Sequence, residues 1–250
     1  ANPDSQEHFL KKFIDDPEVD IFCQTSTIDD NPFLPQEFVE HLKHELAGTV
    51  YYDRFILGHW CNASGLVYPF FSLCADPYLF HGSSAGIDGQ FYVSIDYGTH
   101  NPCSMGLWVI HDGKALRIRE SYFDSRKERV QRTDEEHYFE LERLAGDLPI
   151  RAVIVDPSAA SFIEAIRRHG RFYVEKASNA VLDGIRDVAT RLQSGDIFIC
   201  SGCTDCIREF GLYRWDEKAP MDRPIKENDH AMDDVRYFVH KIFGPQLFSF

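Results

Sequence analysis

Three aspartates stand where a charge needs a chemical reason. Asp96 ends the apolar run FYVSIDYG (91–98), and Asp156 ends a second, RAVIVDPS (151–158). Asp233 sits in DHAMDDVRYFVHKIF (229–243), which reads as a helix. Carboxylates at the tips of neighbouring strands, joined by one from a packed helix, converge on one point. Converging carboxylates repel unless a hard cation lies between them. The chemistry expected of them is phosphodiester hydrolysis with two divalent ions, one activating water and one stabilising the leaving 3′ oxygen. Oxygen ligation without nearby His/Cys pairs favours Mg²⁺ or Mn²⁺ over zinc.

The last helix offers three candidates for the third carboxylate. Asp229 and Asp233 share a face, while Asp234 points about a hundred degrees away. Asp233 borders the apolar stripe of Met232, Val235, Phe238, Val239 and Ile242, so it can reach the sheet. Asp229 is read as an N-terminal cap, where a carboxylate suits the helix dipole. His230 lies one turn before Asp233, placed to orient water, contact phosphate or support a ligand. The expected site is therefore Asp96, Asp156 and Asp233 as metal ligands, with His230 beside them.

Cations are expected around it. RIRESYFDSRKERVQR (117–132) holds six Arg/Lys against three acids. Arg126, Lys127, Arg129 and Arg132 from that stretch, and Lys226 from the loop DEKAPMDRPIKEN (216–228), are the candidate DNA-backbone contacts. The alternative for 124–132 is a solvated loop. IRRHGR (166–171) is a further basic cluster.

The elements that position these residues follow from periodicity. FYVSIDYG, CSMGLWVIH (103–111) and ALRIRESYF (115–123) read as three consecutive strands, the last two joined by a tight turn at His111–Lys114. Then come a helix over 134–147, a strand over 151–156 and a helix over 158–170, with Ser158 as N-cap and Gly170 as stop. A short strand (172–177), a helix (182–195) and DIFIC (196–200) complete the pattern. Three hairpin-linked strands followed by helical crossovers predict an α/β fold: an RNase H-like mixed five-stranded sheet flanked by helices. Residues 1–88 are broken by turn chemistry, with one helix expected over 35–47. HGSSAGIDG (81–89) is the candidate linker. The expected domains are 1–88 and 89–250.

Composition narrows the function classes. The chain has 250 residues, 44% hydrophobic, with a net charge of -14. That charge argues against adhesion to nucleic acid over the whole surface, though not against a local basic groove. No run has the apolar length of a membrane span and no signal peptide is visible, so no membrane partner is expected. Seven scattered cysteines point to reduced thiols in a cytoplasm. Cys200, Cys203 and Cys206 have a C-x-x-C-x-x-C spacing that fits either a metal site or, more commonly, packed thiols. No G-x-x-x-x-G-K-[ST] phosphate loop is present, so no ATP site is expected in this chain.

Four segments carry a family resemblance: SIDYGTHNP (94–102), VIVDPSAASF (153–162), IREFGLYRWDEK (207–218) and RPIKENDHAMDDVRYF (223–238). They resemble the C-terminal nuclease domain of the large terminase subunit of tailed bacteriophages. Residues 1–88 are similar to the tail of the terminase ATPase domain and its linker. The resemblance implies a metal-dependent endonuclease that cuts concatemeric viral double-stranded DNA with little sequence preference. It would work in the cytoplasm of the infected bacterial host, with a portal protein and a small terminase subunit as partners. By motif, Asp96, Asp156 and Asp233 match the metal-binding carboxylates and His230 the histidine preceding the third. Asp234 departs from the pattern, which usually has a small residue there. Two alternatives remain: another RNase H-like nuclease, such as a junction resolvase or RNA–DNA hybrid nuclease, and a non-catalytic portal-docking module.

Overall fold

The structure, a computed structural model, describes residues 9–61, 63–82 and 86–244. The helices are α1 (Phe9–Asp15), α2 (Gln36–Leu46), α3 (Pro69–Leu73), α4 (Ser125–Glu128), α5 (Asp134–Ala145), α6 (Ala160–His169), α7 (Val181–Gln193), α8 (Thr204–Phe210) and α9 (His230–Phe243). The strands are β1 (Leu79–Phe80), β2 (Gln90–Asp96), β3 (Cys103–His111), β4 (Lys114–Phe123), β5 (Ile150–Val155), β6 (Val174–Lys176) and β7 (Ile197–Cys200).

The sheet has seven strands rather than the expected five, in the order β1-β7-β4-β3-β2-β5-β6. The expected five form one continuous block within it. β2, β3 and β4 are an antiparallel meander, and β5 and β6 add parallel to β2. DIFIC becomes β7, parallel to β4, and β1 pairs parallel with β7. Two residues are too few to show a period-two signal, so β1 is invisible to pattern reading. The β3–β4 hairpin turns at Asp112 (φ 49°) and Gly113 (φ 76°), the left-handed pair that matches strand twist.

Two apolar layers sandwich the sheet. Val93, Ile95, Leu107 and Val153 face α5 and α6, meeting Leu141 and Phe162. Tyr92, Trp108 and Ile154 face α7, α8 and α9. Trp108 stacks on Phe238 of α9, with ring centroids 4.2 Å apart. Alternation along each strand produces this division.

Local chemistry sets the helix ends. Thr133 and Glu136 form a capping box before α5: the Glu136 amide donates to Thr133 Oγ1, and the Thr133 amide to Glu136 Oε2. α6 stops at Gly170 (φ 71°) as expected. Its start differs: Ser158 is not the N-cap, because the helix begins at Ala160 after an uncapped Ala159. The Ser158 amide instead donates to Asp156 Oδ1 at 2.8 Å, so Asp156 builds the turn itself.

Residues 63–80 share the core with the sheet. Tyr68 and Phe71 are buried among Phe210 and Tyr213, and the Val67 amide donates to Tyr213 O. They precede the division expected at 88/89. The expected linker, 81–89, includes residues 83–85, which lie outside the described residues. Among the described residues no helix is long and apolar enough to cross a membrane.

Candidate active site

Strand parity brings two of the aspartates together. β2 and β5 are parallel and in register, with Ile95 opposite Val155. Asp96 and Asp156 are the next residues on each. Tyr92 and Ser94 in β2, and Ala152 and Ile154 in β5, face the α9 side. Asp96 and Asp156 continue those rows. The Asp156 amide still donates to Ile95 O at 3.2 Å, so the ladder holds to its end.

α9 crosses this side and brings the rest. His230 Nδ1 lies 2.8 Å from Asp96 Oδ2. Asp96 is 8% exposed, and its carboxyl is pushed up to about 7. Burial is the main cause; the His230 hydrogen bond opposes it, and the charges of Asp233 and Asp156 add to it. Burial works against the charged form of His230, but its hydrogen bond and attraction to Asp96 outweigh this and raise its pKa. Asp233 is buried and held by two cations. Arg236 Nη2 donates to Oδ1 at 2.9 Å, and Lys226 Nζ to Oδ2 at 3.2 Å.

Two neighbours escape sequence reasoning. Asp229 occupies the N-cap position, yet its side chain caps nothing. Its carboxylate is buried and faces Lys226 Nζ at 3.3 Å, so the capping role expected of it is corrected. Glu209 of α8 supplies what Asp229 does not: its Oε2 accepts the Ala231 amide at 2.7 Å, and its Oε1 the Tyr122 hydroxyl at 2.6 Å. Burial raises the Glu209 pKa. Nothing in the sequence pairs position 209 with 231. Arg236, by contrast, was legible in principle, being one helical turn from Asp233.

Asp234 is resolved as structural. It is fully buried and pairs through both oxygens with Arg117, which is also fully buried. Ser94 and Ser104 donate to the same carboxylate. Arg117 therefore lies under the sheet and not among the surface cations of 117–132.

The donors suit a hard divalent ion: they are carboxylates, and buried Asp96 carries an unfavourable charge that a cation would relieve. The grouping is not preassembled. Among the described residues no three His, Cys, Asp or Glu side chains stand together so as to hold a metal ion. Asp233 is engaged by Arg236 and Lys226, and Asp156 Oδ1 by its own turn.

A cleft of about 570 Å³ opens beside His230. Arg126, Lys127, Arg208 and Lys226 line it, interspersed with Asp124, Glu128, Asp205 and Glu227. Arg208, unforeseen from sequence, lies over the Tyr122 ring at 5.3 Å. Arg129 and Arg132 do not line this cleft, and Arg132 instead covers Phe123 at 3.9 Å. In the basic cluster 166–171, Arg168, His169 and Arg171 pair with Glu164, Glu135 and Glu142. Hairpin 214–225, closed by the Trp215–Pro224 bridge, leads through Lys226 into α9. Cys203 and Cys206 are buried thiols, and burial pushes Cys203 up to about 12. They pack as core residues.

A mixed sheet of this order, with carboxylates at the ends of β2 and β5 and on a crossing helix, has the RNase H-like plan of terminase nuclease domains. No protein-family profile matches the chain. The large terminase of a thermophilic bacteriophage is similar at 39% identity and a TM-score of 0.88, over 97% of this chain and 60% of that one. The P22 large terminase nuclease domain aligns at 17% identity and a TM-score of 0.56, over 72% of this chain and 93% of that one. The large terminase nuclease of a second thermophilic phage, G20c, solved with bound magnesium, aligns at 11% and 0.54, over 71% and 97%. The large subunit of the terminase of Escherichia phage T5 is 24% identical over 157 residues, 60% of this chain and 35% of that protein. The chain is a homologue of large terminase subunits, and its fold matches that of terminase nuclease domains. It spans about 60% of the first of these proteins, which has also been solved with ADP.

Proposed function

We propose that this chain is the metal-dependent endonuclease part of a viral DNA-packaging terminase, cutting concatemeric double-stranded DNA with little sequence preference. The observation that carries the reading is buried Asp96, paired with His230 and within electrostatic reach of Asp233 and Asp156, next to a cleft that holds four Arg/Lys side chains. Two Mg²⁺ or Mn²⁺ ions, when bound by these three carboxylates, would supply the activated water and the stabilised leaving oxygen. The chain's own residues do the rest. His230 fixes Asp96, and Glu209 fixes the start of the helix that carries His230. Arg126, Lys127 and Lys226 take backbone phosphates, with Arg129 and Arg132 following on the same loop. None of these contacts reads a base, which is why little sequence preference is expected.

Two of the similar proteins lend the reading its context: one is a large terminase 39% identical to this chain, the other the G20c terminase nuclease with bound magnesium. Residues 1–88 are assigned to the tail of an ATPase domain and its linker. The partners are double-stranded DNA, the portal protein and the small terminase subunit, in the cytoplasm of the infected host. A chain with a net charge of -14 binds free DNA weakly, so the packaging assembly supplies the local concentration.

Supercoiled plasmid incubated with this chain and Mg²⁺ or Mn²⁺ is expected to become nicked and linear, and to stay intact in EDTA. Cleavage that persists in EDTA would refute the mechanism. The cleft makes its own prediction. Lys127→Gln and Arg208→Gln should each flatten the slope of log affinity against log salt by about one, uniformly across DNA sequences. Unchanged slopes would move the DNA path elsewhere.

A further inference from the structure

The two oxygens of Asp233 have partners of different character. Oδ1 is held by Arg236, with Nη2 at 2.9 Å and Nε at 3.2 Å. Oδ2 is held by Lys226 Nζ at 3.2 Å, which also stands 3.3 Å from Asp229 Oδ2.

Arg236 is fixed in place. It is 3% exposed, and its Nη1 donates to Ser178 O at 3.3 Å. Its methylenes fill the space over Gly184, where an added Cβ would fall 2.4 Å from Arg236 Cγ. Lys226 is free to leave. Its side chain is 68% exposed, and its loop turns two residues later at Asn228 (φ 53°). A lysine ammonium is a compact charge on a flexible stem, suited to exchange between partners in a way that a guanidinium fork is not. Oδ1 is thus held by a buried guanidinium, while Oδ2 is held by an exposed ammonium.

We propose that Lys226 is the resident cation of the metal-free site, and that a divalent ion reaching Asp233 displaces it into the cleft. This rests on the nuclease reading above and adds an order of events to it. It also accounts for the carboxylates not standing grouped around one point: an ammonium and a guanidinium neutralise Asp233 in advance. The displaced ammonium remains on the wall it shares with Arg126, Lys127 and Arg208. There it becomes one more cation for a phosphodiester. Ion loading and backbone grip are thereby linked through one side chain. The exchange is easy because an ion pair with one solvent-exposed partner is weak.

The test is Mn²⁺ binding by calorimetry on the full chain, with Lys226→Gln, Lys226→Arg and Asp233→Asn beside it. Melting curves check that each variant folds, which the exposure of Lys226 favours. Lys226→Gln should bind Mn²⁺ about three- to tenfold tighter, since it removes the competitor and leaves the ligands. Lys226→Arg should stay within about twofold of the parent, because it keeps the competing charge. Asp233→Asn should lose the site. Equal or weaker binding by Lys226→Gln overturns the displacement. If Asp233→Asn then still abolishes binding, the nuclease reading stands without it. Mn²⁺ binding by neither the parent nor Lys226→Gln overturns both.

Discussion

Asp96→Asn is expected to abolish metal-dependent plasmid cleavage while making the metal-free protein more stable. The loss of rate should be at least about 10²–10³-fold, the scale on which a single preorganised charge acts in a water-poor site. Asparagine keeps the shape and an oxygen that can accept from His230, so the geometry survives and only the charge is lost. The stability arm follows from linkage. The Asp96 carboxyl moves from 3.8 in the unfolded chain to about 7 in the fold, chiefly through burial. The folded state therefore holds this proton more tightly than the unfolded state does, and ionising the group costs stability. The cost is absent below 3.8, grows as pH rises, and is complete above about 7. Asparagine carries no such cost at any pH. In EDTA at pH 8 the variant should melt higher than the parent, and near pH 4 the two should converge. Each kcal/mol recovered is worth about 2–4 °C in a chain of this size. Saturating Mn²⁺ should raise the parent and not the variant, reversing the order. A variant that cleaves, or that melts lower than the parent at pH 8 in EDTA, would remove Asp96 from the centre of the site.

The sequence exposes the parts of this site that follow from period and composition. Continuous apolar runs, buried on both faces, fix β2 and β5 and leave Asp96 and Asp156 at their tips. Helical spacing puts Asp233 on the border of the stripe of α9. What stays hidden depends on contacts between distant positions. Glu209 and Ala231 are 22 residues apart and meet only because α8 and α9 pack together. β1 has two residues and no period. Asp229 and Asp234 show the limit most clearly. Both are acids on one helix; propensity sends the first to a cap, and spacing leaves the second without an assigned partner. Packing buries both: one against Lys226, the other against an arginine 117 positions away. Charge identity was legible, and charge partner was not.

That buried arginine gives the largest stability effect. Asp234→Ala should destabilise the fold by about 3–5 kcal/mol, because it strands a guanidinium inside the core. Arg117 is fully buried, and its remaining carboxylate neighbour, Glu120, stands 3.7 Å off. Glu120 is itself committed to the amides of Asp205 and Cys206 at the start of α8. Ser94 and Ser104 would lose their acceptor together. Relaxation is blocked on the sheet side, because Arg117 lies against Gly106, where an added Cβ would fall 1.8 Å from Nη1. For the same reason Gly106→Ala should rank beside Asp234→Ala. A shift of roughly 10 °C or more in melting temperature is expected for each. The pair itself is a different matter from its halves. Replacing both partners by apolar residues of similar volume, as in Arg117→Met with Asp234→Leu, should recover most of the loss, since neither charge then needs solvating. Denaturant titration of the two single variants and the double variant isolates the coupling. If Asp234→Ala costs less than about 1 kcal/mol, water or Glu120 satisfies Arg117 and the pair is not what anchors α9. If the double variant is stable yet cleaves slowly, the buried charges do more than hold the helix. They set the rotation of α9 that aims Asp233, the adjacent residue, at Asp96.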